Sequence, residues 1–139
     1  MATKKQTWNQ KLEKEASPKV KHIEKRFVDI PDNSDMLVAT PKIFEEYLRK
    51  IKPGKEVTIK KVRQDLAKKF KADHTCPVTT GLFLRIVAEA NYEKFQNGTP
   101  ISEIAPFWRA IDLKSSIAKK LSFPLDFIKE MREKEGLTN

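Results

Sequence analysis

Scarcity sets the first limits on this chain of 139 residues. It has one cysteine, Cys76, so no internal disulfide can form, and a reducing, cytoplasmic setting is expected. No apolar run reaches the length of a membrane helix, so no membrane role is expected. The opening Met-Ala-Thr-Lys-Lys-Gln is followed by no apolar segment and does not read as a signal peptide. Its two histidines are not spaced as metal ligands, and no group of Cys, His, Asp and Glu suggests a metal or other cofactor. Negative charge is also short: 28 Lys+Arg face 19 Asp+Glu, a net charge of +9. That imbalance suits a polyanionic partner, with nucleic acid ahead of a membrane surface.

Hydrophobic residues make up 39% of the chain and charged residues 34%, which fits one compact domain with a heavily solvated surface. Residues 1–35 are polar and lysine-rich and read as a partly flexible N-terminal appendage. Within it, Trp8, Leu12, Val20, Ile23 and Phe27 offer one or two short helices, interrupted at Pro18. The run Ile30 to Asp35 reads as a turn, and the domain proper spans 36–139.

Met36 to Ala39 suits a short strand. Thr40-Pro41 then provides a hydroxyl cap and a first-turn proline for a helix with Ile43, Phe44, Tyr47, Leu48 and Ile51 on one face. Pro53-Gly54 stops it. Thr58 caps a second helix with Ile59, Val62, Leu66 and Phe70 inward. Cys76-Pro77 opens a third, running to about Phe95, with Leu82, Phe83, Ile86, Val87 and Ala90 as its expected buried stripe. Residues 108–112 suit a strand and 113–122 a β-ribbon or loop. Pro124 opens a last helix, which Gly136 ends. A helix, a turn, a second helix and a strand pair make the order of a winged helix-turn-helix, so a mainly α (α+β) fold with a small β-ribbon is expected.

Three segments resemble the O6-alkylguanine-DNA alkyltransferases, also called methylated-DNA–protein-cysteine methyltransferases. Ile51-Lys52-Pro53-Gly54-Lys55-Glu56-Val57-Thr58 is similar to that family's Ile-Pro-x-Gly-x-Val-x-Thr/Ser entry to the DNA-reading motif. Pro106-Phe107-Trp108-Arg109-Ala110-Ile111 resembles its Pro-Cys-His-Arg-Val segment, and Glu133-Lys134-Glu135-Gly136 its closing Leu-x-x-Glu-Gly. The resemblance implies a winged-helix domain that binds double-stranded DNA through its minor groove and flips a nucleotide out of the stack. Phe107 stands where the family has its reactive cysteine, so alkyl transfer is not expected. The implied role is that of the alkyltransferase-like branch: reading O6-alkylguanine without repairing it and passing it to a repair-protein partner. The chain departs from the family at Ile59, where a tyrosine is common, and at Ser115 and Ser116, where glycines are usual.

These considerations nominate Thr58, Lys60 and Lys61 for phosphates, Thr79, Thr80 and Gly81 for the groove, and Arg85 for intercalation or phosphate binding. Phe107, Trp108 and Arg109 are candidates for a base pocket. Two readings of that pocket stand side by side. The aromatic rings can enclose a flipped purine, or they can fill the core, with Glu135 accepting from the Trp108 indole N–H and Arg109 bracing the segment. Small residues beside Arg85 suit close approach to a groove; the alternative is that this face packs on the N-terminal appendage or a partner. Cys76 at a helix start beside His74 is a competing site for thiol chemistry. The rival function is a protein-interaction or regulatory module that kept the fold and lost lesion recognition.

Overall fold

A computed structural model describes residues 7–137. Thr7 caps the first helix, α1 (Trp8–Glu13), in a reciprocal box: its hydroxyl accepts from the Gln10 N–H, and the Gln10 side chain accepts from its own N–H. A three-stranded sheet follows in the order β1-β2-β3. Strand β1 (Lys19–Ile23) runs antiparallel to β2 (Ser34–Val38), with Lys19 opposite Val38 and Ile23 opposite Ser34. The two-residue β3 (His74–Thr75) pairs in parallel with Met36 and Leu37 on the other edge of β2.

The helices start where their caps stand. Thr40 accepts from the Ile43 N–H at the head of α2 (Pro41–Arg49), and Thr58 accepts from the Lys61 N–H at the head of α3 (Ile59–Lys69). Pro77 begins α4 (Pro77–Gln96), the longest helix. Three 3-10 turns follow, at Ile101–Glu103, Phe107–Arg109 and Ala118–Lys120, and then α5 (Asp126–Lys134). Gly136 adopts φ +74° just past α5, a left-handed C-terminal stop that a side chain would strain. The fold is mixed α/β and about half helical.

One main core joins these elements. Leu12, Leu37, Phe44, Leu48, Val62, Leu84, Val87, Phe107, Ile111 and Ile128 are wholly or almost wholly buried in it. Each such side chain contributes about 2 kcal/mol of burial. Helix α4 lies between α1 and α2, and α3 packs on β2 and β3. The described part of residues 1–35 packs on the rest of the chain: Leu12 is fully buried, Asn9 donates to the Ala90 carbonyl at 2.9 Å, and β1 extends the sheet. An aromatic cluster closes the C-terminal side, with Tyr92 stacked on Phe123 at 4.1 Å and Phe107 beside Phe127 at 5.8 Å. No helix among the described residues is long and apolar enough to cross a membrane.

Three local expectations are corrected. No strand forms over 108–112, and of the β-ribbon or loop expected at 113–122 the loop is found. The Asp112 carboxylate accepts from the Lys114 N–H and the Ser115 hydroxyl from the Ala118 N–H, so side chains draw this backbone into turns. Residues 19–23 form a strand rather than a helix. On α4 the buried residues are Thr80, Leu84, Val87, Ala88, Glu89, Ala90 and Asn91: Val87 and Ala90 are buried as expected, Phe83 and Ile86 are half-buried, and Leu82 is exposed. α1 and the aromatic cluster cover parts of α4 that an isolated amphipathic helix would show to water, which shifts the buried face round the helix.

Candidate nucleic-acid interface

Residues 50–71 hold eight lysines and Arg63 against two acids, Glu56 and Asp65, in a chain whose net charge is +9. Every one of those lysines is exposed. They lie on α3, on the Pro53-Gly54 turn before it and on the turn after it. The two acids are occupied: Glu56 pairs with Arg132, and Asp65 accepts from Lys61 at 2.8 Å and from the Tyr47 hydroxyl at 2.5 Å. The hydrogen bond from Lys61, joined by the one from Tyr47, holds the Asp65 carboxyl below its ordinary value. Burial, reinforced by Asp65, pushes the Tyr47 phenol well up, so it stays protonated. Lys60 is exposed on this face, whereas Lys61 is engaged within its own helix.

The head of α3 is fixed in space. The Val57 N–H donates to the Arg109 carbonyl at 2.9 Å, which ties the approach to α3 to the Phe107–Arg109 turn. Thr58 uses its hydroxyl as the helix cap. Between this point and the stretch that follows the turn lies a depression of about 280 Å³, lined by Thr58, Ile59, Ala110, Asp112, Lys114 and Arg132 among others.

The proposed base-pocket residues do not line that depression. Phe107 is fully buried in the aromatic cluster, edge-on to Trp108 and Phe123. The Trp108 indole N–H donates to Glu135 at 2.5 Å, the acceptor expected from the sequence. Arg109 clamps the same carboxylate, with Nε at 2.8 Å, and donates to the Ile51 carbonyl at 2.6 Å. Of the two sequence readings, core filling and bracing describe this geometry. Trp108 and Arg109 border a small cavity of about 160 Å³ shared with Arg49, Ile101 and Pro106.

On α4 the candidates divide. Thr80 is buried and donates its hydroxyl to the Cys76 carbonyl at 2.7 Å, a helix-internal bond. The Thr79 hydroxyl is buried without a partner. Gly81 has open space where a Cβ would point, so the helix could be approached closely there. Arg85 does not project freely. Its guanidinium lies over the Trp8 ring, 5.2 Å from the centroid, and its Nε is 3.9 Å from Glu89. Val78 and Leu82, both more than half exposed, are the side chains that the first turns of α4 turn outward. Cys76 is 4% exposed and packs with Ile30 and Met36, so a reagent has little access to its thiol.

Sequence reasoning missed three buried polar residues that hold this arrangement. Asn91 donates to Glu45 at 3.0 Å and accepts from the Ala105 N–H at 2.8 Å, locking α2 and α4 to the segment before Phe107. Glu89 accepts from both the N–H and the hydroxyl of Ser122. Arg132 donates to the Trp108 carbonyl at 2.7 Å and pairs with Glu56. The available signal was their position on the buried faces of α4 and α5. No group of three or more Cys, His, Asp and Glu able to hold a metal occurs among the described residues. No protein-family model matches the chain, and neither a curated protein nor a solved structure matches it.

Proposed function

We propose that this protein is a duplex-DNA-binding module of the alkyltransferase-like kind, a winged-helix relative that reads DNA and transfers no alkyl group. The observation that carries the reading is the concentration of exposed lysines on α3 and its flanking turns. Point charges on a rigid helix suit phosphate contacts, which need position more than precise geometry. The cap at Thr58, the backbone tie from Val57 to Arg109 and the outward Val78 and Leu82 would place α3 along the backbone and the head of α4 at a groove. A guanine turned out of the stack would enter the depression between Thr58 and Lys114, not a pocket at Phe107. The thiol needed for alkyl transfer is missing from that lining, and Cys76 lies buried elsewhere. In this reading the protein acts in the cytoplasm, needs no cofactor, and passes a recognised O6-alkylguanine to a repair partner.

The test is a titration of labelled duplexes carrying guanine or O6-methylguanine, at low and near-physiological salt. Affinity should fall by roughly 0.9 log unit per phosphate contact for each tenfold rise in salt. Joint replacement of Lys55 and Lys60 by alanine should lower that slope by about two contacts. Preference for the modified duplex would identify a lesion reader; equal affinity would leave a general duplex binder. No binding at low salt would end the DNA reading. It would then favour the rival interaction module, for which the apolar groove between α1 and the exposed Leu82 is the surface to examine.

A further inference from the structure

The connection between β1 and β2 contains a turn that works against the usual preferences of its residues. Phe27 and Ile30 exchange both backbone hydrogen bonds, at 3.0 and 2.9 Å, leaving Val28 and Asp29 as the two turn residues. Val28 has φ +56°, a left-handed conformation that glycine or asparagine holds readily and a β-branched residue does not. It is also 60% exposed, and its neighbour Phe27 is 38% exposed. Neither backbone preference nor burial within the chain explains a valine here. A strained backbone beside two outward apolar side chains makes this tip a candidate contact surface.

The tip is held rigidly. Ile30 is fully buried beside Met36 and Cys76, so one side of the turn is anchored in a small second core. The Asp29 carboxylate accepts from both terminal nitrogens of Arg63, at 2.6 and 2.9 Å. Arg63 sits on α3 and is itself held by the Thr75 carbonyl at 2.9 and 3.1 Å. The hydrogen bond from Arg63 lowers the Asp29 pKa, so the clamp stays charged at neutral pH. Asp29, Lys60, Arg63 and Gln64 line one depression of about 540 Å³, which places the tip beside the lysine-bearing face of α3. Lys25 and Arg26 precede the tip directly, Lys60 shares its depression, and the acid within the turn, Asp29, is taken up by Arg63.

We propose that Phe27 and Val28 form an apolar wedge that enters the duplex lying on α3 and partly unstacks one base step, while Lys25 and Arg26 take the phosphates beside it. Apolar side chains set between cations are the usual means by which proteins kink DNA. A base step admits a tip two residues wide, and the clamp to α3 fixes that tip relative to the phosphate-binding helix. An anionic membrane is the other surface that such chemistry suits, but insertion there calls for a broader apolar patch than two side chains. The inference rests on the DNA-binding reading above.

The experiment uses the full chain with Phe27→Ala and Val28→Gly combined, and a duplex carrying a donor and an acceptor dye at its ends. Glycine suits φ +56° and both replaced side chains are outside the core, so the variant should keep the parent's thermal transition. The parent should bind and bring the dyes closer together. The variant should bind about tenfold more weakly, with the same salt slope and without the bend. Phe27→Leu, which keeps an apolar wedge, should retain most of the affinity and the bend. If the parent binds and the double variant binds and bends equally well, the wedge is overturned and the DNA reading survives. If the variant lowers the salt slope instead, the tip acts through charge and the wedge is overturned. If the parent binds no duplex, both readings fall. Loss confined to binding of phosphatidylserine vesicles would assign the tip to a membrane and overturn the wedge.

Discussion

Glu135 shows how far one carboxylate can organise its surroundings. It sits at the end of α5 and accepts from the Trp108 indole at 2.5 Å, from Arg109 at 2.8 Å and from the Gly54 N–H at 2.9 Å. Burial pushes its pKa up, yet Arg109, Gly54 and Trp108 outweigh that and hold it below the ordinary 4.5. A carboxyl with a depressed native pKa binds protons more readily when unfolded. Its stabilisation is therefore complete above about pH 4.5 and is lost as pH falls through the lower native value. Glu135→Gln should cost about 2 kcal/mol at pH 7 and flatten the acid side of the stability profile. Urea midpoints measured between pH 3 and pH 7 would show this; an unchanged acid side would mean that other carboxylates govern it. The Glu135–Trp108 contact was legible from the sequence because a buried indole N–H needs an acceptor and the resemblance supplied one. The stacking of Arg85 on Trp8 was not, because it depends on where α1 docks.

At the scale of elements, α1 is held by little more than one face. Leu12 is its only fully buried side chain, supported by Asn9 on Ala90 and Glu93. Leu12→Ala should lower stability by about 3 kcal/mol, read from a chemical denaturation curve. A loss under about 1 kcal/mol would mean that α1 contributes little to the folded state. Helix ends were the most legible part of the fold, because their signals are local: Thr40 and Thr58 at caps, Pro77 in a first turn, Gly136 past a last one. The sheet was the least legible. Strand β1 reads Lys-Val-Lys-His-Ile and buries none of these residues fully, so its conformation is selected by pairing with β2 rather than by its own pattern. For α4, periodicity gave the helix but not its orientation, since two neighbours cover it from different sides. In the candidate interface, the lysine cluster and the Thr58 cap were readable. The tip at Phe27 and Val28 was not, because their exposure and their clamp to α3 arise only on folding.

For the whole molecule, the first and last helices, α1 and α5, share one core. Trp8 packs against the cluster that also contains Trp108, Phe107 and Ile128. Unfolding should therefore be a single transition. Tryptophan fluorescence and far-ultraviolet circular dichroism should trace superimposable denaturant curves, whereas separate midpoints would reveal an N-terminal unit that melts independently. The same connectivity bears on how the protein is made. Gly54, in the turn that leads into α3, donates to a carboxylate 81 residues further along. A chain emerging from the ribosome at about 5–20 residues per second can form α3 seconds before Glu135 exists to fix the turn ahead of it. During that interval the lysines are already present but the scaffold that aims them is not. On the proposed DNA-binding reading, the growing chain would pass through a sticky, undirected stage and become selective only when its last helix folds back.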